Sequence, residues 1–186
     1  MKNILLGLFL ILSLQSFAQS NFRGMSWGAS ISQLKSKYPD VQWEIENIGK
    51  KKIYITEDDY VGGLEVTVAY YFTDSKLQMG VYFFTENHSS NNLYYEDFIA
   101  ISNILKNKYD MERNEEWNNT TWKDNPNYIG HALIMGHVEI EERYEDERTI
   151  IIHEISSDDQ GGIEHVLRYA DMVYIKKMRA SQNEDF

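Results

Sequence analysis

After residue 40, the first half of the chain alternates apolar and polar positions, which is the pattern of half-buried β-strands. The alternation starts near 41–45 and resumes near 53–55, beyond a turn made of a glycine and three lysines. Residues 64–72 form the clearest strand, which turns at 74–75 and returns as residues 76–84. Four strands joined by short turns predict an antiparallel meander.

Two segments change to the three-and-four spacing of an amphipathic helix. The first begins with a capping box, in which the Ser30 hydroxyl bonds the Gln33 amide and the Gln33 side chain reaches back. Pro39 ends this helix, because a residue before proline is pushed out of the α region. The second segment is 91–109, where Asn91 or Asn92 is expected to cap the helix.

The second half of the chain repeats the order of a helix followed by strands. Strands are predicted at 111–117, 129–142, 148–155 and 163–169, before a polar C-terminal tail at 171–186 with a helical stretch around 172–178. The prediction is one α+β domain over 19–170, an antiparallel sheet with helices on one face. Its two helix-plus-four-strand halves are 19–90 and 91–170. The pattern leaves open whether the halves form one sheet or two.

This order of elements resembles that of the β-lactamase inhibitory protein and of small envelope proteins built on a similar helix-and-sheet unit. The opening Arg-Gly-Met-Ser-Trp-Gly at 23–28, followed by a capped helix, is similar to the start of many uncharacterised secreted bacterial proteins. The resemblance implies the two-half α+β fold. The chain departs from the inhibitor in lacking cysteine and in having one helix per half. No family residue can be carried over, and lactamase inhibition does not follow.

The N-terminal residues 1–18 have the parts of a cleaved secretory signal: Lys2, an apolar run over 4–14, and a small-x-small site ending at Ala18. The mature chain is therefore expected to be exported, soluble and either periplasmic or extracellular, with no membrane span. The formal net charge of the whole chain is −11. An acidic surface repels phosphate backbones and anionic lipids, so nucleic acid is not an expected partner.

Gly24-Met25-Ser26-Trp27-Gly28 matches G-x-S-x-G, the nucleophile elbow of α/β-hydrolases. The elbow requires a buried strand before the serine and a helix directly after a strained turn. Only a short polar stretch precedes Gly24 in the mature chain. We therefore interpret the segment as an N-terminal turn, in which Trp27 covers the first helix, and predict no catalytic residue here.

The histidines of the C-terminal strands suggest an alternative function. His131, His137, His153 and His165 fall in predicted strands, and strand alternation would place His137, Glu139 and Glu141 on one face. If a hairpin partner brought His153 close, these ligands could hold a catalytic zinc in a metal-dependent hydrolase. No histidine pair has a diagnostic spacing, so we expect no metal and no cofactor.

Aromatic residues are the one unusual feature of the composition, at 13%. On the central hairpin, Tyr71, Tyr82 and Phe84 are predicted to share the face opposite Leu64, Val66 and Val68. Exposed aromatic side chains are enriched at protein interfaces. The alternative is that a second layer of structure buries them. The leading hypothesis is a non-catalytic secreted or periplasmic domain that binds a protein or a small ligand through an exposed sheet face.

Overall fold

The computed structural model describes residues 21–158 and 160–183, with the backbone alone at 57–58 and 181–183. The predicted signal peptide at 1–18 lies outside the described residues. The described residues form four α-helices: α1 (Ile31–Lys37), α2 (Asn91–Lys106), α3 (Ile129–Ile134) and α4 (Met172–Asn183). The same part of the chain forms eight strands: β1 (Glu44–Ile48), β2 (Lys51–Val61), β3 (Leu64–Thr73), β4 (Lys76–Phe84), β5 (Met111–Trp117), β6 (Val138–Glu145), β7 (Thr149–Ser157) and β8 (Ile163–Asp171).

All eight strands belong to one antiparallel sheet, in the order β1-β2-β3-β4-β8-β7-β6-β5. Each half of the chain contributes a four-stranded meander, and the halves meet at the centre, where β4 pairs with β8. The predicted α+β class and the two helix-plus-four-strand halves are confirmed. The question left open by the sequence is also answered, because the two meanders form one continuous sheet.

The first helix begins as the sequence predicts. The Gln33 amide donates to the Ser30 Oγ at 3.3 Å, and the Ser30 amide donates to the Gln33 Oε1 at 2.8 Å, which completes the capping box. Trp27 is buried, and its indole N–H donates to the Thr149 Oγ1 at 3.1 Å. The GMSWG segment therefore attaches the N-terminus to β7 and leads into α1.

The main core lies on the face of the sheet that carries α1, α2 and α3, here called the first face. Leu34 of α1 and Ile101 and Leu105 of α2 pack with inward residues from both meanders. Phe22 lies directly on Gly80 of β4, where an added Cβ would come within 2.1 Å of the ring. A glycine is therefore needed at this position, because any side chain would displace a buried aromatic ring.

The prediction of a strand over 129–142 is wrong for its first residues. Residues 129–134 form the helix α3, and the strand begins at Val138. A Cβ on Gly130 would lie 2.3 Å from the Asn91 carbonyl carbon, so α3 packs very closely on the start of α2. The Gly130 amide donates to the Asn92 Oδ1 at 2.9 Å. Asn92 therefore joins α2 to α3 instead of capping α2, whose N-cap residue is Ser90.

The helix expected around 172–178 is present as α4 and continues to Asn183. Its residues Ile175 and Met178 line a cavity together with Met79 and Ile150, which point away from the first face. Within the described residues, no helix combines the length and the apolar character needed to cross a bilayer.

Candidate functional site

The three aromatic residues predicted to share an exposed face lie on opposite faces of the sheet. Tyr82 pairs with Val68 in the β3–β4 register, and directly paired residues point to the same side. Tyr82 is 9% exposed and packs in the main core with Phe22, and Phe84 packs against the same core. Tyr71 pairs with Met79 and lies on the other side. The grouping is therefore corrected: Tyr71 remains available, whereas Tyr82 and Phe84 belong to the first face.

The side of the sheet opposite α1, α2 and α3, here called the second face, has its own apolar cluster. Four small or branched side chains are buried at its centre: Ile53, Ala69, Val81 and Val166. Four partly exposed side chains pack against them and form what we call the aromatic patch: Ile55, Tyr71, Met79 and Phe83. Apolar surface that stays partly exposed in this way marks interaction sites.

The Tyr71 hydroxyl lies in a mixed environment at the border of the aromatic patch. Burial raises its pKa above the ordinary value, the positive charge of Arg168 lowers it, and Glu46 raises it again. Arg168 also forms an ion pair with Glu154 on the neighbouring strand. The patch is therefore bordered by charges of both signs, and Tyr71 presents both a ring and a hydroxyl there.

The outer strands of the second face are acidic. Glu116 pairs directly with Glu139, and Glu141 pairs directly with Glu154. Three of these carboxylates, those of Glu116, Glu139 and Glu141, are exposed. We call these four glutamates the acidic strip. Like charges that face each other across a ladder are unfavourable, and Arg168 compensates this at Glu154 by forming an ion pair with it.

The histidines do not converge as the alternative hypothesis requires. His137 precedes β6, and Glu139 and Glu141 point to the second face, whereas His153 pairs with Glu142 and points to the first face. His131 is exposed and contacts Trp122 edge-on at 5.6 Å between ring centroids. The predicted set is therefore corrected: Glu139 and Glu141 share a face as predicted, but the strand register places His153 on the opposite one.

The register instead builds a buried polar network around Glu142, which has no exposed side-chain surface. Tyr144 donates a hydrogen bond to its Oε2 at 2.5 Å, and the Arg113 Nη1 donates to its Oε1 at 2.9 Å. The Lys106 Nζ lies 3.3 Å from the same Oε1, and the His153 Nδ1 lies 3.6 Å from Oε2. One carboxylate thus binds groups from α2, β5, β6 and β7.

The network continues through two histidines toward the centre of the sheet. The His153 Nε2 and the His165 Nε2 are 2.8 Å apart, and Phe98 and Phe84 stack on the respective rings. The Ser102 hydroxyl donates to the Phe98 carbonyl at 2.9 Å, so its oxygen accepts from the His153 Nδ1 at 3.4 Å. That leaves the His153 Nε2 as the acceptor for the N–H of His165, with both rings neutral.

The protonation states follow from burial and from these bonds. Burial would raise the pKa of Glu142, but the contact with His153 and the hydrogen bonds from Tyr144 and Arg113 outweigh it and hold that pKa well below the ordinary value. Burial lowers the pKa of His153 more than Glu142 raises it. Burial, together with the charge that His153 would carry, lowers the pKa of His165 to about 2.

This network is a structural element closed to substrates. His153 is 0% exposed and His165 is 4% exposed, so neither ring can reach a ligand from solvent. Among the described residues, no three histidine, aspartate or glutamate side chains are arranged to hold a metal ion. The sequence carries one signal of the network: Glu142, His153 and His165 occupy inward positions of their strands, between apolar residues such as Tyr144 and Ile155.

The comparisons with known proteins give no family. No family model, no curated protein and no solved structure matches the chain.

Proposed function

We propose that the chain is an exported, non-catalytic domain that binds a protein partner through the second face of its sheet. The observation that carries the proposal is the aromatic patch of Ile55, Tyr71, Met79 and Phe83, which stays partly exposed while α1, α2 and α3 pack on the other face. Tyrosine at such a site provides a large contact area at a low cost in side-chain entropy.

The charges of the second face indicate the chemistry of the partner. The acidic strip of Glu116, Glu139, Glu141 and Glu154 lies on the same face as the patch, and three of its carboxylates are exposed. A partner that presents an apolar or aromatic side chain next to lysine or arginine would fill both regions at once. Electrostatic complementarity of this kind contributes to the association rate and to specificity.

The hydrolase alternative is not favoured by the C-terminal strand residues on which it rests. A hydrolytic site requires a histidine or carboxylate that a substrate can reach, and His153 and Glu142 are fully buried. The acidic side chains that are exposed on the second face have no histidine beside them in the strand register.

A selection from a random peptide library tests the proposal, because the library samples many partner chemistries at once. The purified protein is the bait, and the Tyr71→Lys variant is used for counter-selection. We expect enrichment of peptides that combine an aromatic residue with two or more basic residues. The matched control is Ile104→Lys, which introduces the same charge at an exposed position of α2, on the first face. Peptides that bind Tyr71→Lys as well as the wild type, or that carry no basic residues, would refute the proposed site.

A further inference from the structure

A cavity of about 310 Å³ lies at the end of the second face, where α4 approaches the sheet. Its walls are apolar and come from β4, β7, β8 and α4: Met79, Ile150, Ile152, Ala170, Ile175 and Met178. This volume is at the lower end of the range of small-molecule sites, which is about 300–1,000 Å³. The cavity is therefore large enough for a small apolar ligand.

Three arginines complete the lining: Arg143, Arg168 and Arg179. The whole chain has six arginines and a net charge of −11, so half of its guanidinium groups surround one small cavity in an acidic protein. The lining has no acidic residue among the described residues. The site is thus apolar inside, with guanidinium groups at its border.

The three guanidinium groups differ in whether they form an ion pair. Arg143 pairs with Glu145 at 2.5 Å, and Arg168 pairs with Glu154. Arg179 is exposed and has no ion-pair partner among the described residues. Guanidinium groups bind carboxylates through charge-assisted, often paired hydrogen bonds. Among the described residues, Arg179 is therefore the arginine of this lining that is left to bind an incoming anion.

We infer that this cavity binds a linear alkyl carboxylate, with its chain among the apolar side chains and its carboxylate on Arg179. At roughly 30 Å³ for each water-sized group, the cavity has room for about ten heavy atoms, which is the number in octanoate. This small-molecule site goes beyond the proposed protein partner, and it has a different determinant, Arg179 instead of Tyr71.

Titration calorimetry of the purified protein with octanoate tests the inference. We expect saturable binding at one site, and an affinity that rises by about fourfold for each methylene between hexanoate and octanoate. Octanamide, which has the same shape without the charge, should bind about tenfold more weakly. The inference is overturned if octanoate gives no saturable heat, or if octanamide binds as tightly as octanoate.

Variants of residues in the cavity lining test whether octanoate binds there. Arg179→Gln should weaken octanoate binding by about tenfold, whereas Arg148→Gln, which removes an arginine outside this cavity, should leave it unchanged. Ile175→Trp fills the cavity from the partly exposed helix α4 and should abolish binding, with thermal melting as the check of folding. Binding that survives both Arg179→Gln and Ile175→Trp would place the ligand elsewhere and overturn the inference. Met79 belongs to both regions, so the two proposals are separated by their own determinants: Arg179→Gln should leave peptide binding to the aromatic patch unchanged.

Discussion

Replacing Glu142 by glutamine is expected to destabilise the fold strongly, although the change keeps the size of the side chain. The Arg113 and Lys106 side chains, which are 22% and 35% exposed, lose the carboxylate that they contact. Removing one partner of a buried ion pair costs about 3–5 kcal/mol. We expect the lower end, about 3 kcal/mol, because both cations retain some solvent and the amide oxygen can still accept from Tyr144.

The assay is urea unfolding followed by tryptophan fluorescence, since the chain has four tryptophans. With a slope of about 2 kcal/mol per molar urea, the midpoint of Glu142→Gln should fall by about 1.5 M. The matched control is Glu141→Gln, the neighbouring residue on the exposed second face, which faces Glu154. Its stability should stay within about 0.5 kcal/mol of the wild type. Equal midpoints for the two variants would refute the structural role of the network.

Three further predictions concern acid stability, packing and processing. The pKa values of His153 and His165 are lowered in the folded state. As the pH falls below about 6.5, the unfolded chain therefore takes up protons before the folded chain does, and the free energy of unfolding decreases. Each histidine contributes about 1.4 kcal/mol per pH unit to this decrease. His165→Gln should remove the contribution of one histidine to the pH dependence of stability, as measured by urea unfolding between pH 4.5 and 6.5. An unchanged pH dependence would contradict a buried pair of neutral histidines. Gly80→Ala should cost about 1–3 kcal/mol because the new methyl meets Phe22, and Phe22→Leu in the same chain should recover part of the loss in a melting experiment. When the whole chain, including its first 20 residues, is expressed in a bacterium, it should be exported, and intact-mass analysis should show that it begins at Gln19. Retention of Met1 would exclude cleavage.

Local features were predictable because they depend on residues close in the chain. The bounds of β4 and β5 are those predicted, since alternation over 76–84 and 111–117 needs only the period of a strand. The Ser30–Gln33 capping box is likewise local. The order of elements also predicted two similar halves, because each meander pairs strands that are neighbours in sequence.

Features that depend on long-range register were not predictable. The pairing of Tyr82 with Val68 decides its face, and a shift of one residue reverses that face. The contact of His153 with His165 requires the β7–β8 register as well as α2 above it. α3 forms where a strand was predicted, because Gly130 allows a close approach to Asn91. This contact is between residues far apart in the chain, so the local sequence pattern does not predict it.

We propose that the second face binds a protein through the aromatic patch and the acidic strip. The most direct measurement is the dissociation constant of one selected basic, aromatic peptide for the wild type, Tyr71→Lys and Ile104→Lys. We expect at least tenfold weaker binding to Tyr71→Lys, as for a residue that contributes more than about 1.4 kcal/mol at an interface, and unchanged binding to Ile104→Lys. Equal affinity for all three proteins would contradict it.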